Sequence, residues 1–429
     1  MRKFLRGMVT LLCALSPVGC STGADSLAEL EELEQLEEIA QESVEKNGVA
    51  KAGGGAGATA VPPEYKELFD GGSFDENGVW ASDKAEYVEL IEDLRKTCEE
   101  NLDGSMIFAT DDEVIFAGGW NVTEIDEKTV VSPYTTYEIG ELTMSMTAAA
   151  ILQLVQDGKL KMSDTIEDYF PDLPYGDKIT IEHLIYMQPG IPDVLYEPDK
   201  FFESAVDAGK DPQQVGEDFK NGAVTDQEML DYLYKTKFTE EYVGPVAASA
   251  TNYILLAHIL EQVTGQSYEE YMKENIFDVC DMKNSTCAET GNITSVPKPF
   301  GEEGYAKYGK AYRGAGDIHS NPCDVLLFDR GLIAGKIIDY NHLEYVTEPK
   351  DNISCGWFVM RGHNLMEKPT EVSNLMQSGG TNGYVAMNHI YRVGDKNYYY
   401  IMMTPAVGRL QFALNVDRLI MRYMMSLEQ

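Results

Sequence analysis

Strand signals gather at the two ends of the globular part of this chain, and helical signals fill the middle. Near the front, Ser105-Met106-Ile107-Phe108-Ala109, a turn at Asp111-Asp112 and Val114-Ile115-Phe116 read as two strands. Near the back, Cys355 to Met360, Tyr384 to Arg392 and Asn397 to Met403 are rich in aromatic and branched residues. The last two are joined by Val393-Gly394-Asp395-Lys396, a hairpin signal. Between these ends, Thr147 to Val155 is alanine- and leucine-rich and stops at Gly158, a good helix terminator. Tyr253 to Val263 repeats the pattern and stops at Gly265, and Ser267 with Glu270 spells a capping box. Residues 85–101, with Tyr87, Leu90, Ile91 and Leu94 on one face, and residues 407–427 read as flanking helices. This order predicts an α+β fold over residues 62–429: an antiparallel sheet flanked by helices plus an all-helical subdomain at about 141–340.

The first 61 residues read differently. Arg2, Lys3 and Arg6 precede an apolar stretch from Met8 to Val18, too short for a comfortable membrane span, so residues 1–20 are expected to be an export signal. Pro17-Val18-Gly19-Cys20 resembles a bacterial lipobox, with Pro17 where that pattern prefers Leu; lipidation at Cys20 would hold the mature protein to a membrane. An ordinary cleaved signal is the alternative. Residues 21–61 are expected to be an acidic stalk and linker. Leu27, Leu30, Leu33, Leu36 and Ile39 recur among glutamates, and Gly53-Gly54-Gly55 with Pro62-Pro63 marks the linker.

With 71 acidic against 34 basic side chains the formal charge is −37, which repels polyanions and argues against nucleic acid as a partner. Setting aside Cys13 and Cys20 leaves five cysteines, an odd number without metal-ligand spacing. Cys280 and Cys287 are close enough in sequence to bridge, or are small buried apolar residues. The six histidines form no HxxxH arrangement, so neither metal nor cofactor is implied.

Several segments, in order, carry a resemblance. Tyr137-Glu138-Ile139-Gly140-Glu141-Leu142-Thr143-Met144-Ser145-Met146-Thr147 resembles the nucleophile helix of the class C β-lactamase-like serine hydrolases, a family that includes D,D-peptidases and esterases. Ile179-Thr180-Ile181-Glu182-His183-Leu184 with Pro189-Gly190-Ile191-Pro192 is similar to the family's next helix and loop. Thr251-Asn252-Tyr253 resembles its second-motif helix, and Gly379-Gly380-Thr381 with Gly383-Tyr384 its third motif. The resemblance implies a β-lactamase/transpeptidase-like fold and covalent acyl transfer. In that chemistry a serine is activated by a lysine one turn on, a Tyr-x-Asn motif assists proton transfer, and a Lys or His adds positive charge. Two backbone N–H groups hold the oxyanion.

At those positions this chain differs. Glu141 stands for the serine, Met144 for the lysine, Ala248 for the tyrosine, Ala250 for the asparagine and Gln377 for the Lys or His. Ser43-Val44-Glu45-Lys46 does spell the serine–lysine spacing, but it lies in the stalk. Ser145 has Ala148 where a lysine would be needed, and a local helix bond is expected for it. Glu141 itself is read as a helix-start carboxylate favoured by the dipole, as a general base or nucleophile, or as a charge that repels the carboxylates of family substrates. The expected protein is therefore a membrane-anchored, exported pseudoenzyme. Its old cleft, around Glu141, Gln377, Gly379, Gly380 and Thr381, would bind a peptidoglycan fragment or a cell-envelope protein. The alternatives are an active hydrolase using an unrecognised constellation around Glu141, and an assembly role carried by residues 21–46.

Overall fold

The computed structural model describes residues 61–427 apart from 121–130, 194–197, 208, 221–223, 236–242, 247–248, 288–311, 362–372, 381–383 and 406–409. The export signal with Cys20, the stalk, Ala248 and Thr381 lie outside the described residues.

Nine strands form one antiparallel sheet. They are β1 (Gly72–Phe74), β2 (Trp80–Ser82), β3 (Gly104–Thr110), β4 (Val114–Trp120), β8 (Ile353–Ser354), β9 (Trp357–Arg361), β10 (Ser373–Gly380), β11 (Val385–Val393) and β12 (Lys396–Thr404). Their order is β1-β2-β4-β3-β12-β11-β10-β9-β8. The early pair thus meets the late meander where β12 pairs with β3, Ile401 opposite Ile107.

Alternation along the central strands sends successive side chains to two separate cores. Met106 and Phe108 of β3, with Tyr398, Tyr400 and Met402 of β12, pack under the helices Val88–Asn101 and Leu410–Ser426. Ile107 and Ala109, with Tyr399, Ile401 and Met403, face the larger helical part. All seven residues of β3 are buried, as expected for a strand covered on both faces.

The helix Thr143–Gln156 runs through the larger core. It is apolar almost all round, which suits a helix with no solvent face. Ile151, Leu152 and Leu154 are fully buried, each contributing on the order of 1.5–3 kcal/mol relative to exposure. The Ala250–Thr264 helix packs against the Thr143–Gln156 helix, whose Ala148 faces the Gly356 turn. That second helix ends at Gly265 in the left-handed conformation (φ +72°), and the Ser267–Glu270 capping box opens the next one.

Two expectations are corrected. The region at about 141–340 is not all-helical: β7 (Ile318–Ser320) pairs on one side with β6 (Thr286–Cys287) and on the other with β5 (Tyr137–Glu138) in a three-stranded sheet. Strands of two or three residues are too short to leave a periodic signal. The strand expected from Cys355 begins at Trp357, because Cys355 and Gly356 form the tight turn between β8 and β9. The five described cysteines are all buried and free, so Cys280 and Cys287 do not bridge.

Candidate functional site

The strand β5 delivers the chain into a short 3-10 turn, Gly140–Leu142, that opens the Thr143–Gln156 helix. Glu141 sits in that turn and Met144 one helical turn further on, so both lie at one end of the buried helix. The end of β10 runs against this turn. A Cβ at Gly379 would lie 1.8 Å from the Ile139 carbonyl oxygen, 2.7 Å from the Glu141 nitrogen and 2.8 Å from the Leu142 nitrogen. Only a residue without a side chain permits that approach.

The close approach sets up the central contact. The Gly380 backbone N–H donates to the Glu141 carboxylate at 2.7 Å, across 239 residues of sequence. Glu141 is 8% exposed, and an acceptor carrying charge makes this a stronger bond than one between neutral groups.

Gln377, three residues earlier on β10, is also buried. Its Nε2 donates to the Gly356 carbonyl at 3.1 Å, and its Oε1 accepts from the Ser378 N–H at 3.0 Å. The side chain therefore staples β10 to the β8–β9 turn. That turn abuts the first helical turn, since a Cβ on Gly356 would lie 2.7 Å from the Ser145 Cα and 2.9 Å from the Met144 carbonyl oxygen. Ser145 donates from its hydroxyl to the Leu142 carbonyl at 2.8 Å, the local helix bond expected of it.

Ala250 begins its helix with its N–H donating to the Asp193 carboxylate at 2.7 Å. Asp193 follows the Pro189–Pro192 loop directly, yet its role at the second motif carries no local signal, because the partner is 57 residues away. Beside it, Asn252 Nδ2 donates to the Met187 sulfur at 3.1 Å, and the buried Ser249 hydroxyl has no hydrogen-bond partner among the described residues. Two further groups nearby could in principle react, and burial disarms both. It pushes the Cys355 thiol and the Tyr253 phenol well up, and Tyr253 already donates to the Ile185 carbonyl at 2.9 Å. A thiol that stays protonated is a poor nucleophile. Among the described residues, no group of three or more His, Cys, Asp or Glu side chains could hold a metal ion.

The structure thus brings together Glu141, Met144, Gln377, Gly379 and Gly380 around the start of one helix, with Ala250 at the head of the neighbouring one. A helical core set on an antiparallel sheet, with the buried helix start facing the end of a strand, is the β-lactamase/transpeptidase-like fold. Residues 95–394 match the β-lactamase family, and the chain belongs to it.

Among relatives, a penicillin-binding protein of Bacillus subtilis is 24% identical over 330 residues, 71% of this chain and 68% of that protein. Protein flp of Staphylococcus aureus is 30% identical over 205 residues, 46% of this chain and 37% of that protein. Among solved structures, FmtA from Staphylococcus aureus superposes with a TM-score of 0.60 at 16% identity, covering 79% of this chain and 91% of FmtA. The D-amino acid amidase from Ochrobactrum anthropi does so with a TM-score of 0.60 at 20% identity, covering 79% and 99%. These structural likenesses establish the fold.

Proposed function

We propose that this chain is a non-catalytic member of its family, exported and held to the membrane through Cys20, whose cleft binds a cell-envelope ligand without turning it over. The observation that carries the reading is Glu141. A carboxylate stands where the family needs a nucleophilic hydroxyl, and it is engaged by the Gly380 N–H. Around it, Met144 cannot supply the basicity of a lysine, Ala250 has no amide to orient a substrate, and Gln377 carries no positive charge. Loss of a serine nucleophile alone removes on the order of 10⁶ in rate in subtilisin, an unrelated enzyme.

Relatives named penicillin-binding proteins favour a peptidoglycan fragment as the ligand class, with an envelope protein as the second possibility. The basic start, the apolar stretch and Cys20 support export and anchoring. The acidic stalk would then hold the domain away from the membrane surface.

The test is intact-mass spectrometry of the chain after incubation with a fluorescent penicillin and, separately, with a fluorophosphonate. A variant carrying Glu141→Ser, Met144→Lys, Ala248→Tyr, Ala250→Asn and Gln377→His runs beside it. The native chain is expected to stay unmodified. A stoichiometric adduct on it would overturn the reading, and the labelled residue would identify the nucleophile.

A further inference from the structure

We propose that the Glu141 side chain is a built-in occupant of this cleft's anion pocket, and that it sets ligand specificity by excluding any external oxyanion. The proposal rests on the non-catalytic reading above and adds a statement about which ligands the cleft admits.

Three observations meet at one point. The Gly380 N–H, from the end of a strand, already donates to a carboxylate oxygen at 2.7 Å. That carboxylate belongs to a residue 8% exposed, so it occupies the interior of the site rather than its rim. The absence of a side chain at Gly379 brings the strand backbone onto Ile139, Glu141 and Leu142, and a Cβ at Gly140 would lie 2.8 Å from the Gly380 nitrogen, a separation set by the missing Cβ atoms. Two of these features, a strand N–H and the first turn of a buried helix, favour negative charge. The chain supplies that charge itself. An arriving carboxylate, or the oxygen of an acyl group, would have to displace Glu141 from the Gly380 N–H and would meet its carboxylate at close range, an unfavourable like-charge juxtaposition.

Removing the occupant should therefore create a binding site. Glu141→Ala deletes a CH2–COO⁻ unit, for which free acetate is the small-molecule equivalent. The full chain, Glu141→Ala and Glu141→Gln are each titrated with acetate at constant ionic strength and followed by thermal unfolding and amide NMR. Glu141→Ala is expected to bind acetate at least tenfold more tightly than the native chain, with the Gly380 amide resonance moving on addition. Glu141→Gln, whose amide oxygen still accepts from Gly380, is expected to reject acetate like the native chain. A folded Glu141→Ala whose acetate response matches the native chain would overturn the proposal.

Should Glu141→Ala fail to fold, Glu141→Gln decides through the Gly380 amide proton. That proton is expected to move upfield when its acceptor loses its charge, and an unmoved resonance would overturn the proposal. Failure here removes the occupant alone, whereas a covalent adduct on the native chain removes the reading of function.

Discussion

Tyr65→Phe tests how the first described residues are tied to the globular domain. Tyr65 is fully buried at the end of the short Pro63–Tyr65 turn, and its hydroxyl is a three-way junction. It donates to Asp324 Oδ1 at 2.7 Å and accepts from Asn284 Nδ2 at 2.7 Å and Asn321 Nδ2 at 2.9 Å. Asp324, on the Pro322–Ile333 helix, is also fully buried, and its other oxygen accepts from the Asn284 N–H and the Ser285 hydroxyl. Burial raises its carboxyl to about 6, while the Tyr65 bond is the strongest of the contacts pulling it back. Deleting the hydroxyl removes one bond to a charged group, worth about 1.5–3 kcal/mol, and takes an acceptor from two amides, of which Asn284 Nδ2 keeps Glu64 Oε1 at 3.4 Å. A loss of about 3 kcal/mol is expected at neutral pH.

The sign of the pH dependence follows from the raised value. A carboxyl whose folded value lies above its unfolded one contributes stability below about pH 4, which is lost as pH rises through about 6. Without Tyr65 the folded value rises further, so the loss continues to higher pH. A further rise of about one unit makes the deficit of the variant about 1 kcal/mol larger at about pH 7.5 than at about pH 5. Urea unfolding of both proteins at the two pH values measures it. A deficit below about 0.5 kcal/mol, or one that shrinks as pH rises, would refute the reasoning.

Three further substitutions address the site, a hairpin turn that serves as its control, and the core. Gly379→Ala places a methyl 1.8 Å from the Ile139 carbonyl oxygen and should cost about 3 kcal/mol or more. Gly394→Ala, with φ +59° and nothing within 4 Å, should cost only about 1 kcal/mol; equal losses in urea unfolding would contradict the close approach. Leu152→Ala, at a fully buried position on the central helix, should cost about 2–5 kcal/mol through the cavity left behind. A variant with an unchanged unfolding midpoint would mean that this helix does not form the core described.

Much of the fold was legible because its signals are local. The alternating residues of β3 and β12, the apolar Thr143–Gln156 helix and the Ser267–Glu270 capping box each declare themselves within one segment. Elements that exist only by pairing were not legible. Ile318–Ser320 is a strand because it lies between β5 and β6, Thr286–Cys287 because β7 lies beside it, and β10 carries Ser378, Gly379 and Gly380, which have weak strand preference by themselves. The site divides in the same way. The identities at Glu141, Met144 and Gln377 follow from motif order along the chain, since covalent spacing places them on known elements. That Gln377 turns to Gly356, that Asp193 meets Ala250, and that Glu141 receives the Gly380 N–H are contacts between segments 21, 57 and 239 residues apart. Sequence alone determined the elements that carry a local signal and the chemical character of each motif position, because propensity and composition act over a few neighbouring residues. Only the tertiary structure decided where each side chain's hydrogen bonds go, because a buried polar group takes the partner that packing brings to it.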